Sequence, residues 1–238
     1  MTVAQSVQGR PALLHLGCGL TAPEQWLNVD GSLNAWFSQR PRLRKLCSTL
    51  GLVSRRQTEI AWPTNIRIAD LRKRLPFESD SFDAVYASHV LEHLHRDEAS
   101  ALLKEAYRVL RPGGLCRMLV PDLRAIVMEY LGQGSVPGDV GVSDDPARKM
   151  CRRLLMRGES GPGGGRVYRT YTAMTNLHDH KWMYDGPSLV KLMAEAGFQS
   201  CEERSFLRSD IPHLDKVEVP GRFLDGAGVA AEGRKPLS

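Results

Sequence analysis

The first half of the chain alternates short apolar segments with longer amphipathic ones, and this alternation limits the folds open to it. Each apolar segment has the length and the bounding residues of a buried strand. The clearest amphipathic segment runs from Asp97 to the Pro112-Gly113-Gly114 stop and predicts a helix. Strands that alternate with helices predict a parallel sheet covered on both faces, which is an α/β fold. The predicted strands are residues 12–16, 26–30, 65–70, 81–88 and 115–120.

The first predicted strand ends in Gly17-Cys18-Gly19. Glycine permits a sharp turn and a close approach of a ligand to the backbone, and ligands of such sheets bind beyond the carboxyl ends of the strands. Residues 17–22 also match the glycine pattern of dinucleotide-binding proteins. However, Pro23 stands where that pattern opens a helix, and Asp30 follows Gly19 by only 11 residues instead of about 20. The turn therefore suits a nucleotide-like ligand other than a dinucleotide, or a tight turn without a ligand.

Two aspartates end the next two predicted strands, Asp30 the second and Asp70 the third. The carboxylate of Asp30 can accept hydrogen bonds from both hydroxyls of a ribose, and that of Asp70 from the exocyclic amine of adenine. The lysine and the serine or threonine of a phosphate-binding loop are absent. Together the three strand ends predict an adenosine site without a phosphate clamp. Taken singly, each aspartate also suits a surface or capping position.

The run from Leu75 to Asp122 resembles class I S-adenosylmethionine-dependent methyltransferases of the type 11 group. With the glycine turn, the resemblance covers residues 12–122. It implies a Rossmann-like, seven-stranded, mainly parallel sheet with one antiparallel strand near the C-terminus, and S-adenosylmethionine as the cofactor. The matching pieces are Leu75-Pro76-Phe77, Ser81-Phe82-Asp83, Leu91-Glu92-His93 and Leu110-Arg111-Pro112-Gly113-Gly114. The implied cofactor contacts are Gly17, Cys18, Gly19, Asp30, Asp70, Leu71, Ser88 and His89.

Two features resemble a subgroup of bacterial methyltransferases often found beside glycosyltransferases: the short gap before Asp30 and the segment 178–198. This resemblance implies methyl transfer to a hydroxyl of a saccharide, a glycolipid or a related metabolite. A methyltransferase for a small natural product, acting at nitrogen, oxygen or carbon, is the alternative enzyme, and a non-catalytic cofactor-binding scaffold is the alternative outside catalysis. A nucleic acid is not expected as partner, because the Asn/Asp-Pro-Pro-aromatic tetrad of base-methylating enzymes is missing and residues 120–123 do not supply it.

Hydroxyl methylation needs a base or a metal ion, since an alcohol is a poor nucleophile at neutral pH. Histidine is the usual base near neutral pH. His178 and His180 flank Asp179 in a segment rich in aromatic residues, and His93 follows the fourth predicted strand. We therefore predict His180, His178 and His93 as catalytic residues, although each also suits a packing role. Two histidines and a carboxylate can bind a metal, but no third ligand stands at a definite spacing, and we predict no metal site.

The charge of the chain is unevenly distributed. Its net charge is +5, and six basic residues but no acidic ones lie between Gln39 and Thr58. Leucines and a valine recur at helical spacing within residues 40–53. The segment predicts a basic amphipathic helix that can touch an anionic membrane, recognise an anionic acceptor or pack on its own domain. Five scattered cysteines without a CxxC pair predict a reducing, cytoplasmic location.

The domain prediction follows from these segments. One methyltransferase domain is expected over residues 1–225, with insertions at 31–64 and 132–180 on the acceptor side. Residues 216–223 are predicted as the last strand. The tail 226–238 is predicted to be disordered.

Overall fold

The computed structural model describes residues 11–49, 60–136, 145–155, 179–223 and 227–237. Its strands are β1 (Leu13–Leu16), β2 (Leu27–Asp30), β3 (Ile66–Ile68), β4 (Phe82–Ser88), β5 (Leu110–Pro121), β6 (Gln199–Arg204) and β7 (Gly228–Arg234). Within these residues they form one seven-stranded sheet in the order β3-β2-β1-β4-β5-β7-β6. Strands β1 to β5 are parallel, and β7 is antiparallel to both of its neighbours. The predicted Rossmann-like sheet is confirmed.

The centre of the sheet aligns three strand ends. Leu16 of β1 pairs with Val29 of β2 on one side and with Ala87 of β4 on the other. The residues that follow, Gly17, Asp30 and Ser88, therefore emerge at one edge of the sheet. All four residues of β1 are buried, as expected for a strand covered on both faces.

The helices are α1 (Leu33–Ser38), α2 (Pro41–Thr49), α3 (Arg96–Val109), α4 (Leu123–Tyr130), α5 (Pro146–Arg153) and α6 (Gly186–Glu195), with 3-10 turns at Leu91–His93 and Leu214–Lys216. The cap of α3 is His95, two residues before the predicted Asp97, because a capping box joins His95 and Glu98. Its buried residues recur every three or four positions and cover the sheet. No helix among the described residues is long and apolar enough to cross a membrane.

The C-terminal part corrects the sequence prediction. Residues 216–223 form no strand; the chain makes a 3-10 turn there, and the buried carboxylate of Glu218 pairs with the guanidinium of Arg117 at 2.7 Å. The predicted disordered tail is also wrong, because Gly228–Arg234 forms β7 between β5 and β6. Close packing requires its small residues: a Cβ on Gly233 would lie 2.8 Å from the Cys201 sulfur.

The insertions are only partly described. Within 31–64, the predicted basic helix is observed as α2, and none of its residues is buried. Much of the 132–180 insertion lies outside the described residues, and so does His178. The acceptor-side role of both insertions stays a prediction, whereas the predicted domain end at residue 225 is wrong, because β7 completes the sheet beyond it.

Candidate functional site

The glycine turn after β1 needs both of its glycines. Gly17 and Gly19 have φ of 65° and 55°, which side chains rarely adopt. A Cβ on Gly17 would also collide with the Cγ2 methyl of Val90. The Cys18 N–H donates to the Val29 carbonyl at 3.1 Å, so the turn curls over the end of β2. Leu71 lies beside it, its Cδ1 3.9 Å from the position of that added Cβ.

Asp30 ties the turn to β2. Its Oδ2 accepts a hydrogen bond from the Gly19 N–H at 2.8 Å, and its Oδ1 accepts one from the Ser32 N–H at 2.7 Å. The residue is buried, with 6% of its surface exposed. Each carboxylate oxygen has a second lone pair for a further donor. The turn and the carboxylate thus form one preorganised unit with remaining acceptor capacity for paired hydroxyl groups.

Asp70 lies at the neighbouring strand end but is differently engaged. The Arg72 side chain donates to both of its oxygens, at 2.9 and 3.0 Å. These hydrogen bonds lower the pKa of the Asp70 carboxyl. The loop that carries Asp70 closes on β2, where the Ala69 N–H donates to the Asp30 carbonyl at 3.3 Å. An adenine amine at Asp70 would therefore share the carboxylate with Arg72.

Ser88 and His89 end β4 on the other side of the turn. Ser88 is buried, and His89 has a φ of 56°. The two ring nitrogens of His89 face oxygens, Nδ1 the Glu92 carboxylate at 2.9 Å and Nε2 the Arg222 carbonyl at 2.6 Å. Burial favours the neutral ring, but the hydrogen bond and charge of Glu92 outweigh it and raise the pKa of His89. His89 therefore acts as a clamp between the strand end and the C-terminal segment.

Arg222 is the site residue that the sequence did not reveal. Its guanidinium donates to the Cys18 carbonyl at 2.5 Å and approaches the Ser88 carbonyl at 3.5 Å. It thus lies over the glycine turn, in the electrostatic reach of Asp30. No local pattern marks an arginine that reaches the turn from 204 residues away.

The same surroundings fix the state of Cys18. Burial, with the Asp30 charge adding to it, raises the pKa of the Cys18 thiol to about 12. The thiol is protonated near neutral pH and is not an activated nucleophile. Cys18 therefore serves the turn through its backbone.

A second group of polar side chains lies just beyond His89. The carboxylate of Glu92 and the imidazoles of His93 and His180 each offer one ligand atom, and these three atoms lie within 4.8 Å of one another. The two imidazole rings are 5.0 Å apart at an angle of 64°. Lys181 fixes the approach of the His180 segment, because its N–H donates to the Glu92 carbonyl at 2.7 Å. We call Glu92, His93 and His180 the Glu-His-His cluster.

The Glu-His-His cluster has unused acceptor capacity. Glu92 Oε2 and His180 Nδ1 are buried, and neither has a hydrogen-bond partner among the described residues. Burial lowers the pKa of His180. The structure thus brings the predicted residues His93 and His180 together. The structure also adds Glu92 as the third group, which the sequence spacing did not indicate. Glu92 is completely buried, and this burial depends on tertiary packing.

The site as a whole favours a nucleoside ligand. The buried Asp30 carboxylate keeps acceptor capacity beside the glycine turn and suits the two hydroxyls of a ribose. The same carboxylate repels a pyrophosphate, whereas the Arg222 guanidinium, which already occupies the Cys18 carbonyl, acts in the opposite sense. S-adenosylmethionine has a ribose diol and no phosphate, and it fits these groups. The fold and the site therefore define a nucleoside-binding α/β protein.

Comparison with known proteins agrees with S-adenosylmethionine as the cofactor. Residues 14–118 match the family model described as a methyltransferase domain, and this part of the chain is a domain of the class I S-adenosylmethionine-dependent methyltransferase type. An uncharacterized 37.1 kDa protein in transposon Tn4556 of Streptomyces fradiae is 35% identical over 160 residues, which are 66% of this chain and 42% of that protein. A demethylmenaquinone methyltransferase of Streptomyces griseus is 35% identical over 79 residues, 31% of this chain and 34% of the enzyme.

Two further methyltransferases match the chain. The methyltransferase GfsG of Streptomyces halstedii is 30% identical over 123 residues, 47% of this chain and 37% of that protein. A solved S-adenosylmethionine-dependent methyltransferase of Thermotoga maritima superposes on 96% of this chain and 84% of its own, with 17% identity and a TM-score of 0.48. The chain spans less than half the length of each of the three curated relatives.

Proposed function

We propose that this protein transfers a methyl group to a hydroxyl of a saccharide, a glycolipid or a related hydroxylated metabolite. The observation that carries the proposal is the Glu-His-His cluster, which lies directly beyond the end of β4, one hydrogen bond from His89. When bound, S-adenosylmethionine supplies a methyl group on a sulfonium. We assign its ribose to Asp30 and its adenine to the Asp70–Leu71 loop; the carbonyls of Cys18 and Ser88 are already engaged by the Arg222 guanidinium.

The chain must activate the acceptor oxygen, because an alcohol is a poor nucleophile at neutral pH. In this proposal the acceptor hydroxyl reaches Nδ1 of His180 or Oε2 of Glu92, two buried atoms without a hydrogen-bond partner among the described residues. Either group can take a hydrogen bond from that hydroxyl and align a lone pair of its oxygen. His180, His93 and, in the same segment, His178 are the residues that we assign to acceptor activation.

Aromatic and basic groups around the cluster support a saccharide or anionic acceptor. Trp182 follows His180 by two residues and is 44% exposed. The Arg96 guanidinium stacks on its ring at 5.4 Å. Exposed indoles of this kind can pack on the apolar face of a sugar ring, and the arginine can pair with a phosphate or carboxylate. The resemblance to methyltransferases found beside glycosyltransferases points in the same direction.

A substitution at His180 tests the proposal. We expect His180→Ala to lower turnover by about 100-fold or more, the usual contribution of a group that handles the acceptor proton. Its affinity for S-adenosylmethionine should stay within about twofold of wild type, since the ribose and adenine are assigned to the ends of β2 and β3, well away from the His180 segment. Methyl transfer from labelled cofactor into glycan and lipid extracts gives the rate, and calorimetry gives the affinity.

A matched control uses His213→Asn. His213 is exposed, and its left-handed backbone (φ 57°) suits asparagine. This control should match wild type in both assays. Equal turnover for wild type and His180→Ala would remove His180 from the mechanism. Wild-type protein that binds the cofactor but labels no acceptor in any extract would favour the scaffold alternative.

The second candidate function is carbon methylation of a quinone-like product, which the similarity to the demethylmenaquinone methyltransferase favours. An aromatic carbon beside a phenolate is already nucleophilic and depends less on a base for the acceptor oxygen. Mass spectrometry of the methylated product separates the two functions. A carbon–methyl bond in that product would overturn the hydroxyl proposal.

Contact with a membrane surface or an anionic lipid carrier is proposed for α2. Leu43 and Leu46 are 38% and 55% exposed there, next to Arg42, Arg44 and Lys45. Such a helix binds anionic surfaces through both its apolar and its basic side chains. Flotation with anionic vesicles at low salt should recover the protein, and Leu46→Glu should reduce recovery. Absence of wild-type protein from the floated fraction would refute this contact.

A further inference from the structure

We propose that the Glu-His-His cluster is a binding site for one divalent transition-metal ion of the zinc class, held by the Glu92 carboxylate and by the imidazoles of His93 and His180. The inference rests on the proposed function and deepens it, because it assigns the activation of the acceptor hydroxyl to a metal ion. It replaces the sequence prediction that the protein has no metal site. His93 and His180 belong to segments far apart in the chain, and the structure brings their ligand atoms and that of Glu92 within 4.8 Å of one another.

The burial of the Glu-His-His cluster supports a bound cation. Glu92 is fully buried, and its Oε2 has no hydrogen-bond partner among the described residues. His180 Nδ1 is also buried and also has no hydrogen-bond partner among the described residues. A buried polar atom without a partner costs free energy, so a native protein normally satisfies it. A metal ion between these atoms would satisfy both at once.

One ligand of the cluster is already held in place. Metal sites usually orient each ligand through an outer hydrogen bond. Glu92 is held through one oxygen, Oε1, by His89 at 2.9 Å, which leaves its buried Oε2 for an ion. The Lys181 N–H donates to the Glu92 carbonyl at 2.7 Å and fixes the neighbouring His180 segment. The Glu92 carboxylate is therefore oriented before any ion arrives.

The ligand types select the metal. Two imidazoles and one carboxylate form the set found in catalytic zinc sites and in facial iron(II) sites, and both leave open positions for a further ligand. Magnesium and calcium prefer oxygen ligands and are disfavoured here. Metal–ligand bonds of about 2.0–2.2 Å bring ligand atoms to roughly 3–3.5 Å from one another. The cluster would thus contract slightly on binding.

The open position gives the ion a role in the proposed reaction. An acceptor hydroxyl bound to the ion through its oxygen would have a lowered pKa and would lose its proton to water. Its oxygen would then form the O–CH₃ bond as the S–CH₃ bond of the cofactor breaks and S-adenosylhomocysteine leaves. The His180 Nδ1 is then a ligand and takes no proton itself. Loss of the ion would leave cofactor binding intact, since Gly19 and Asp30 belong to another part of the cleft.

Metal binding can be measured without any turnover. Protein treated with a chelator is titrated with Co²⁺. Its visible d–d absorption should rise and reach a plateau at one equivalent of Co²⁺, and added Zn²⁺ should abolish it by competition. Glu92→Gln and His180→Ala should each weaken the affinity about 100-fold or more, since loss of a ligand costs at least as much as loss of an outer partner. His213→Asn is the control for binding by a surface histidine and should bind like wild type.

The outcomes separate this inference from the proposed function. Wild type without stoichiometric Co²⁺ binding, or variants that bind like wild type, would overturn the metal site. Circular dichroism checks that each variant is folded, and His93→Gln replaces any variant that is not. Chelated protein that methylates a hydroxyl at the full rate would refute the metal role and leave the proposed function standing. Stoichiometric metal binding without methyl transfer to any acceptor would support the site and count against the proposed function.

Discussion

Replacement of Asp30 by asparagine tests the cofactor site most directly. The carboxylate receives two backbone hydrogen bonds, from Gly19 at 2.8 Å and from Ser32 at 2.7 Å. Asparagine has nearly the same shape but offers one acceptor oxygen in place of two. The substitution therefore turns an NH₂ group toward one of the two N–H donors. It also removes the charge and part of the acceptor capacity that we assign to the ribose hydroxyls.

The magnitude follows from these contacts. A hydrogen bond to a charged group contributes about 1.5–3 kcal/mol and a neutral one about 0.5–1.5, and a buried donor without a partner costs about 1–3. We expect Asp30→Asn to lose about 2 kcal/mol of folding free energy through the glycine turn. Loss of the ribose contact should weaken cofactor affinity by about 2–3 kcal/mol, or roughly 30- to 150-fold.

Calorimetry with S-adenosylmethionine and thermal melting measure the two losses. Asp215→Asn, an exposed substitution, is the matched control and should leave both unchanged. Comparison of adenosine with 2′-deoxyadenosine isolates the ribose contact: wild type should discriminate between them, and Asp30→Asn should not. If the cofactor affinity of Asp30→Asn stayed within about threefold of wild type, instead of falling by the expected 30-fold or more, the ribose assignment would be refuted. Wild-type protein that binds both nucleosides equally would also refute it.

Three further predictions concern the framework of the site. Gly17→Ala should abolish cofactor binding because its Cβ meets Val90, whereas Gly132→Ala, at a similar φ of 71° with open space around it, should not; calorimetry compares them. Glu218→Gln removes the carboxylate 2.7 Å from the buried Arg117 guanidinium and leaves it with Glu232 at 3.6 Å; the change should cost about 2 kcal/mol, or about 6 °C in melting temperature. The pKa of the Glu129 carboxyl is lowered from 4.5 to about 2. Burial alone would raise this pKa, but hydrogen bonds from α5 outweigh burial. Its contribution to stability is thus present above pH 4.5 and lost toward pH 2, so the stability deficit of Glu129→Gln in denaturant titrations should vanish over that range. An equal melting temperature for Glu218→Gln and wild type would contradict the second prediction. A stability deficit of Glu129→Gln that persists at about pH 2 would contradict the third.

Local pattern was sufficient for the parallel half of the sheet. The strands around the glycine turn are short apolar runs with clear stops, and the structure confirms them within a few residues at their ends. The same holds for the aspartate at the end of β2, because strand ends that follow one another in a parallel sheet meet at one edge. Asp30 and Gly19 are in contact as this rule predicts.

The sequence pattern missed those elements and side chains whose positions depend on tertiary contacts. The small residues of β7 resemble a disordered tail in composition, but Gly233 is small because Cys201 and Phe198 pack against it. Arg222 and Glu92 owe their place in the site to packing between distant segments, and no spacing rule reports such packing. Pattern therefore located the backbone of the cleft and not the side chains that complete it.

The position of β7 has a consequence for synthesis of the chain. β6 leaves the ribosome before β7, the strand that separates it from β5 in the sheet. Until β7 follows, the edge of β5 and the whole of β6 present unpaired backbone groups, which are sites of aggregation. A nascent chain that stalls in this interval would need a chaperone to shield both edges. β6 can therefore join the sheet only after Arg234, the last residue of β7, has left the ribosome.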